Sequence, residues 1–189
     1  MRRRSAFKKT KRTFVVATEG AQTELIYLDE FRPGRDDNFR LVLLGNPNHK
    51  SRPLDVLQRL VNHERNNRDW NAEYWAVIDR DAWNPQELDE VSNEIAKRED
   101  YHLALSNPCF ELWLWLHLRS NRPFADRHDC QRSLCREWPE FTKGEYDAAK
   151  LRQYVQLACQ RAKELDSTPD AKWPDEQATW VYRLIERLT

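Results

Sequence analysis

The chain has 189 residues, of which 40% are hydrophobic, 33% are charged and only 4 are glycine. This length fits one domain, or one domain with an appendage, and the composition excludes a largely disordered chain. No apolar run approaches the roughly 20 residues of a membrane span, and the run at 13–17 is too short for the core of a signal peptide. We therefore expect a cytoplasmic protein.

The formal net charge is zero, but the charges are unevenly distributed. Residues 1–12 contain seven basic residues and no acidic one, so the rest of the chain is acidic. The seven are Arg2, Arg3, Arg4, Lys8, Lys9, Lys11 and Arg12. Such a segment is typical of a flexible cationic arm that contacts nucleic-acid phosphates, although a solubilising tail has the same composition.

The first 120 residues alternate between strand and helix patterns. Strands are predicted at 13–18, 39–44, 74–78 and 101–106, and helices at 23–31, 54–61, 85–98 and 108–118. This alternation predicts βαβ units, and hence an α/β fold with an open, mainly parallel sheet of about four strands flanked by helices.

The last third of the chain has a different pattern. Residues 120–147 look irregular because Pro123, Pro139 and Gly144 interrupt them, and helices are predicted at about 148–165 and 180–188. We therefore divide the chain into a basic flexible arm (1–12), an α/β core (13–120), and an irregular segment with a helical extension (121–189) that packs on the core.

The four cysteines, Cys109, Cys130, Cys135 and Cys159, form no C-x-x-C motif, and a chain of this size does not need disulfides. We expect reduced thiols. His128 lies close to Cys130 and Cys135, but their spacing matches no zinc motif.

Carboxylates follow two of the predicted strands. Glu19 ends the first strand, and Asp79 and Asp81 end the third, where their two-residue spacing directs both side chains to one side. Ligands of open parallel sheets bind at the carboxyl ends of strands, and three carboxylates suit Mg²⁺. The alternative is that the two aspartates cap the next helix while Glu19 lies in a turn. We favour the metal site because unpaired buried carboxylates are costly.

Several residues near these strand ends have two interpretations. Glu111 begins a helix beside the expected cleft and is predicted to support the site. Asn107 caps that helix or contacts phosphate or a metal-bound water. Thr23 caps the first helix or holds a carboxylate through its hydroxyl, and we favour the cap. His117 is expected to be a packed histidine. Trp83, just after Asp81, is the tryptophan that we would test for stacking on bases, whereas Trp75, Trp113 and Trp180 are assigned to the core.

Three sequence elements together resemble one family. They are T-E-G-A-Q-T-E at 18–24, I-D-R-D at 78–81 and S-N-P-C-F-E-L-W-L-W-L-H at 106–117. In this order they resemble the RloB-like family, whose Toprim-like core is related to type IA topoisomerases, DnaG-type primases and OLD-family nucleases. The resemblance implies a Mg²⁺ (or Mn²⁺) site in which Asp79 and Asp81 are metal ligands and Glu19 is a metal ligand or the general base.

The resemblance also implies supporting roles and partners. Glu24 becomes a supporting carboxylate, and Lys143 resembles the late phosphate-binding lysine of some related nucleases. Family members are expected to act in bacterial anti-phage or restriction systems beside an AAA/ABC-type ATPase. Asp81 is followed by Ala-Trp-Asn instead of a glycine turn, which argues against a topoisomerase or primase.

Two functions follow from this reasoning. The first is a metal-dependent endonuclease or nickase that cleaves DNA or RNA under the control of a partner ATPase. The second is a non-catalytic module, in which the arm binds nucleic acid and the α/β body docks the ATPase. A nucleotide-handling phosphotransferase is disfavoured because no glycine-rich phosphate loop is present. The sequence leaves a homo-oligomer open.

Overall fold

The predicted alternation of strands and helices is present in the computed structural model, which describes residues 11–46, 50–80 and 83–189. The strands are β1 (Arg12–Thr18), β2 (Phe39–Leu44), β3 (Ala72–Asp79), β4 (Tyr101–Asn107) and β5 (Ala178–Thr179). The helices are α1 (Thr23–Asp29), α2 (Pro53–Asn66), α3 (Pro85–Ala96), α4 (Glu111–Leu118), α5 (Arg127–Glu137), α6 (Val155–Leu165) and α7 (Val181–Leu188), with a 3₁₀ helix at Ala148–Tyr154.

The strands form one open sheet in the order β2-β1-β3-β4-β5. The first four strands in the chain are parallel, and β5 pairs antiparallel with the end of β4. This confirms the predicted α/β class and mainly parallel sheet. The fifth strand was not predicted because two residues are too few to give a hydrophobic pattern. The strand order reverses between β1 and β3, which is where open α/β sheets bind ligands.

The central strands and one helix carry most of the core. β1 and β3 are buried along almost their whole length, as expected for parallel strands covered on both faces. Seven of the eight residues of α4 are buried. The tryptophans assigned to the core, Trp75, Trp113 and Trp180, are each less than 5% exposed, which confirms those assignments.

Helix α5 contradicts the prediction that residues 120–147 are irregular. Asp126 caps α5 by accepting a hydrogen bond from the backbone N–H of Asp129 (2.8 Å). Only Cys130, Ser133 and Leu134 are buried. The buried face of α5 therefore has too few apolar residues to give a hydrophobic pattern of helical period in the sequence.

Other element boundaries differ from the prediction by a few residues. Asn84 caps α3, since its side chain accepts from the backbone N–H of Glu87 (3.0 Å). The helix expected from residue 108 begins at Glu111, and the one expected at 148–165 is a 3₁₀ helix followed by α6. Helix α6 packs on α4, and α7 packs on β4. The boundary drawn at residue 120 stays a prediction.

All four cysteines are free thiols, as expected. Across residues 11–46, 50–80 and 83–189, no helix has the length and apolar character needed to cross a bilayer.

A buried carboxylate on β3 joins the start of β1 to the last helix. Glu73 is 5% exposed and lies 2.5 Å from both Arg12 and Arg187. The indole N–H of Trp75 also donates to it (3.3 Å). Burial alone would raise the pKa of Glu73, but the hydrogen bond from Arg187 and the charges of Arg187 and Arg12 lower it. Arg12 is thus a paired strand residue and not part of a flexible arm, which corrects that prediction.

We expect Glu73→Gln to lower the free energy of unfolding by about 2 kcal/mol near neutral pH, because a hydrogen-bonded charge pair is lost. The folded-state pKa lies below the unfolded value, so this stabilisation is present above the unfolded pKa and is lost as the pH falls through the folded pKa. Urea unfolding at about pH 7 and about pH 3 measures both effects. The exposed Glu99→Gln variant is the control, and an equal deficit at both pH values would contradict the assignment.

Candidate active site

Glu19 and Asp79 lie side by side where the strand order reverses. Glu19 directly follows β1, and its backbone N–H donates to the carbonyl of Val77 on β3 (2.9 Å). The backbone N–H of Asp79 in turn donates to Oε2 of Glu19 (3.1 Å). The parallel pairing of β1 with β3 therefore sets the separation of these two acidic residues.

Further donors orient the two carboxylates. The indole N–H of Trp83 donates to Glu19 Oε2 (3.0 Å). Asp79 Oδ1 accepts from the backbone N–H of Phe110, the residue before α4 (2.9 Å). Each carboxylate thus has a fixed direction, and Trp83 contacts Glu19 through its ring nitrogen. Whether Trp83 also stacks on bases stays a prediction.

Two polar side chains that sequence reasoning missed hold the backbone beneath Glu19. Arg59 on α2 donates to the carbonyls of Thr18 (2.5 Å), Leu44 (3.2 Å) and Gly45 (2.9 Å). Asn46 donates to the carbonyl of Glu19 (3.1 Å). Burial lowers the pKa of Arg59. No motif marks these residues, because their partners are backbone atoms that only the fold brings together.

A second pair of acidic residues lies in the same pocket. Glu24 is 5% exposed and Glu111 is 2% exposed. The backbone N–H of Gly20 donates to Glu24 Oε1 (3.1 Å). Gln131 donates to Glu111 Oε1 (3.1 Å), and Lys143 Nζ lies 3.8 Å from the same oxygen. Burial raises the pKa of Glu24, and the charge of Glu111 raises it further, although backbone hydrogen bonds and Lys143 act against this.

The close approach of Gly20 to Glu24 explains the glycine in the T-E-G motif. A Cβ atom at position 20 would overlap both carboxylate oxygens of Glu24. Glycine at this position therefore allows the buried acid to bond the backbone N–H directly.

Thr23 does not cap α1, contrary to the prediction. It is the first residue of the helix, Gln22 holds the cap position, and no side-chain cap hydrogen bond is present there. The Thr23 hydroxyl is buried in the pocket lining and has no hydrogen-bond partner among residues 11–46, 50–80 and 83–189. It is a polar atom available to a bound group.

The structure brings together five of the six residues predicted to be catalytic. Glu19, Glu24, Asp79, Glu111 and Lys143 line one pocket of about 140 Å³. The sixth, Asp81, lies outside the described residues. Arg127 and Gln131 also line this pocket. They are one turn apart on α5, and they were missed because α5 itself was not predicted.

Asn107 is not among the residues that line this pocket. Its side-chain amide donates to the carbonyls of Pro174 (3.2 Å), Asp175 (2.7 Å) and Glu176 (3.0 Å). It is therefore not the cap of α4, and its N–H groups are used to hold the loop before β5. The prediction that Asn107 contacts nucleic acid gains no support from this position.

The described residues of the basic segment lie at the opposite end of the sheet. Arg2, Arg3, Arg4, Lys8 and Lys9 lie outside the described residues. Lys11 and Arg12 lie at the amino end of β1, whereas Glu19 follows its carboxyl end. A strand of this length separates the two by about 20 Å.

His117 and Arg80 have structural partners. His117 is buried, its Nε2 lies 3.0 Å from the Tyr27 hydroxyl, and burial lowers its pKa to about 4. This confirms a packed, neutral histidine. Arg80 lies 4.0 Å from Asp175, a surface carboxylate.

The pocket has the donor chemistry of a site for a hard divalent cation. Among the residues for which the structure gives positions, no three His, Cys, Asp or Glu side chains form a complete metal site. The third ligand of the predicted set, Asp81, is not among them. Four carboxylates nevertheless line the pocket against two cationic side chains, and the Thr23 hydroxyl lacks a partner. Oxygen ligands and excess negative charge fit Mg²⁺ or Mn²⁺.

Comparison with known proteins supports the family resemblance. The family model described as RloB-like protein matches residues 14–188. The chain belongs to the RloB-like family. The matched region runs from β1 to the end of α7, so it contains every residue of the pocket, including those on α5 that lie beyond the three motifs. Searches of curated proteins and of solved structures gave no match.

We expect Glu24→Gln to raise the free energy of unfolding of the metal-free protein by about 1 kcal/mol, because it removes a buried charge close to Glu111. The amide oxygen can still accept from Gly20. Since the folded-state pKa of Glu24 is raised, the wild type loses stability as the pH rises through that pKa, and the gain should be larger at about pH 8 than at about pH 4.

Thermal unfolding in a chelator measures this difference, with the exposed Glu90→Gln as the control. A lower stability of Glu24→Gln at about pH 8 would mean that the charge of Glu24 is already compensated in the metal-free pocket.

Proposed function

We propose that this RloB-like protein is a metal-dependent nuclease that hydrolyses phosphodiester bonds, with Glu19, Asp79 and Asp81 as ligands of Mg²⁺ or Mn²⁺. The observation that carries the proposal is the hydrogen bond from the Asp79 backbone to the Glu19 carboxylate at the point of strand reversal. This bond connects Glu19 of the T-E-G motif to Asp79 of the I-D-R-D motif. The backbone N–H of Phe110, which belongs to the third motif, orients the Asp79 carboxylate.

The residues of the pocket have separate roles in this proposal. A bound divalent cation polarises a phosphate and lowers the pKa of a water molecule. Trp83 and the Phe110 N–H keep the Glu19 and Asp79 carboxylates directed toward the pocket. Lys143, whose side chain is 69% exposed, lies at the rim near Glu111, where it can bind an incoming phosphate. Glu24 and Glu111 add negative charge that favours the cation and repels a misplaced phosphate.

The wider role in the cell is a further part of the proposal. A partner ATPase of the AAA/ABC type and a function in anti-phage defence or restriction rest on the family resemblance alone. An unregulated nuclease would damage its own cell, so we propose that the partner controls when the site cleaves.

We expect Asp79→Asn to abolish Mg²⁺- or Mn²⁺-dependent cleavage, because the amide keeps the hydrogen bond from Phe110 but removes the ligand charge. Labelled plasmid, single-stranded DNA and tRNA are incubated with each metal, with and without the neighbouring ATPase, and the products are separated on gels. The control is Asp170→Asn, an exposed aspartate far along the chain from the pocket residues.

Cleavage of one substrate by the wild type and the control, and not by Asp79→Asn, would support the nuclease and identify its substrate. Nucleic-acid binding without cleavage under every condition would instead support the non-catalytic module.

A second variant tests the indole hydrogen bond to Glu19. We expect Trp83→Phe to weaken Mn²⁺ binding and slow cleavage by about ten-fold, because groups that orient metal ligands typically contribute 10- to 100-fold. Isothermal titration with Mn²⁺ measures the affinity independently of cleavage. The control is Trp173→Phe, since the Trp173 indole N–H donates to Asp89 on α3 instead (3.0 Å). An unchanged Mn²⁺ affinity in Trp83→Phe would contradict this role.

A further inference from the structure

A second polar site lies at the amino end of the sheet, opposite the carboxylate pocket. It is an open groove of about 890 Å³ beside the amino ends of β1 and β2 and the last turn of α2. Its charged lining residues are Lys11, Arg40, Arg68 and Asp69. The space is at the upper end of the range for small-molecule sites, and its walls carry more positive than negative charge.

The cations of the groove are available to a ligand. Arg40 and Arg68 are exposed, and neither forms an ion pair or a side-chain hydrogen bond with another residue in the described part of the chain. The one acidic residue, Asp69, accepts from the Thr13 hydroxyl (2.6 Å) and from the backbone N–H of Asn71 (3.0 Å). Its oxygens are therefore directed at the protein, while the two guanidinium groups face solvent.

An exposed tryptophan directly follows a lining residue of the groove in the chain. Trp70 follows Asp69 in the loop before β3, and it is 93% exposed. Among the large hydrophobic side chains that the structure describes as exposed, the next is 40% exposed. A flat aromatic surface beside unpaired cations is the arrangement with which proteins bind single-stranded nucleic acid, since bases stack on the ring and phosphates pair with the cations.

The first described residue of the basic segment lies at this groove. Lys11 is one of the residues that line it. The carboxylate pocket lies about 20 Å away, along the length of β1. The positive charge of Lys11 therefore belongs to the groove and not to the pocket.

We propose that the groove and Trp70 bind a single-stranded segment of nucleic acid, at a site separate from the carboxylate pocket. This rests on the nucleic-acid part of the proposed function, not on cleavage. Phosphates contact Lys11, Arg40 and Arg68, and a base stacks on Trp70. A strand that occupies both sites spans at least about 20 Å.

The test measures binding without cleavage. Fluorescein-labelled single-stranded DNA and RNA of about 20 nucleotides, longer than the span of both sites, are titrated with protein in a chelator, and anisotropy is recorded at several salt concentrations. We expect Trp70→Ala to weaken binding at least five-fold and Trp70→Phe to retain most of the affinity, because a phenyl ring still stacks. Arg40→Ala combined with Arg68→Ala should flatten the salt dependence by about 1.4, since each lost phosphate contact lowers the slope by about 0.7.

The control is Tyr154→Ala, an exposed aromatic residue at the start of α6 that should leave the affinity unchanged. The proposal is overturned if Trp70→Ala binds as tightly as the wild type, or if the wild type binds neither strand. It is also overturned if polyglutamate displaces the oligonucleotide at equal charge concentration, which would indicate an acidic protein partner instead. A wild type that binds through Trp70 but cuts nothing would contradict the nuclease and leave this site in place.

Discussion

The pairing of β1 with β3 is the constraint on which the candidate site depends. Parallel strands place their carboxyl ends at one edge, and the strand order reverses between these two. Glu19 and Asp79 are consequently neighbours that share a hydrogen bond, although 59 residues separate them in the sequence. The other features of the pocket are arranged around this pair. Trp83 and Phe110 direct the carboxylates, and Arg59 fixes the backbone below them.

The two ends of the sheet have opposite chemistry. Buried carboxylates lie at the end of the sheet where the parallel strands finish. Exposed arginines, a lysine and an exposed tryptophan lie at the end where these strands begin. A polyanion is attracted to the second edge and is repelled from the first unless cations neutralise the carboxylates. In the functions that we propose, binding and chemistry are therefore separated in space, so that a nucleic acid could be held under conditions in which the pocket is inactive.

Much of this fold follows from the sequence, because buried parallel strands leave continuous apolar runs and the acids that follow them are easily recognised. The predicted cluster of Glu19, Glu24, Asp79, Glu111 and Lys143 is assembled as a unit in the structure. Helix α5 could not be predicted, since its buried stripe is only three residues wide, and Arg127 and Gln131 were missed with it. The role of Arg59 has no sequence motif, because its partners are backbone carbonyls. Trp70 could not be distinguished from the buried tryptophans by sequence, because only the structure shows that it is exposed.

Gly20 and Glu24 are linked by a close contact between the backbone of the first and the side chain of the second. The carboxylate of Glu24 occupies the volume that a side chain at position 20 would need, and it bonds the backbone nitrogen there. A side chain at position 20 therefore cannot be accommodated without displacing the Glu24 carboxylate. We therefore expect the residue types at positions 20 and 24 to vary together among relatives. A member that carries a larger residue at position 20 should have a shorter or uncharged side chain at position 24.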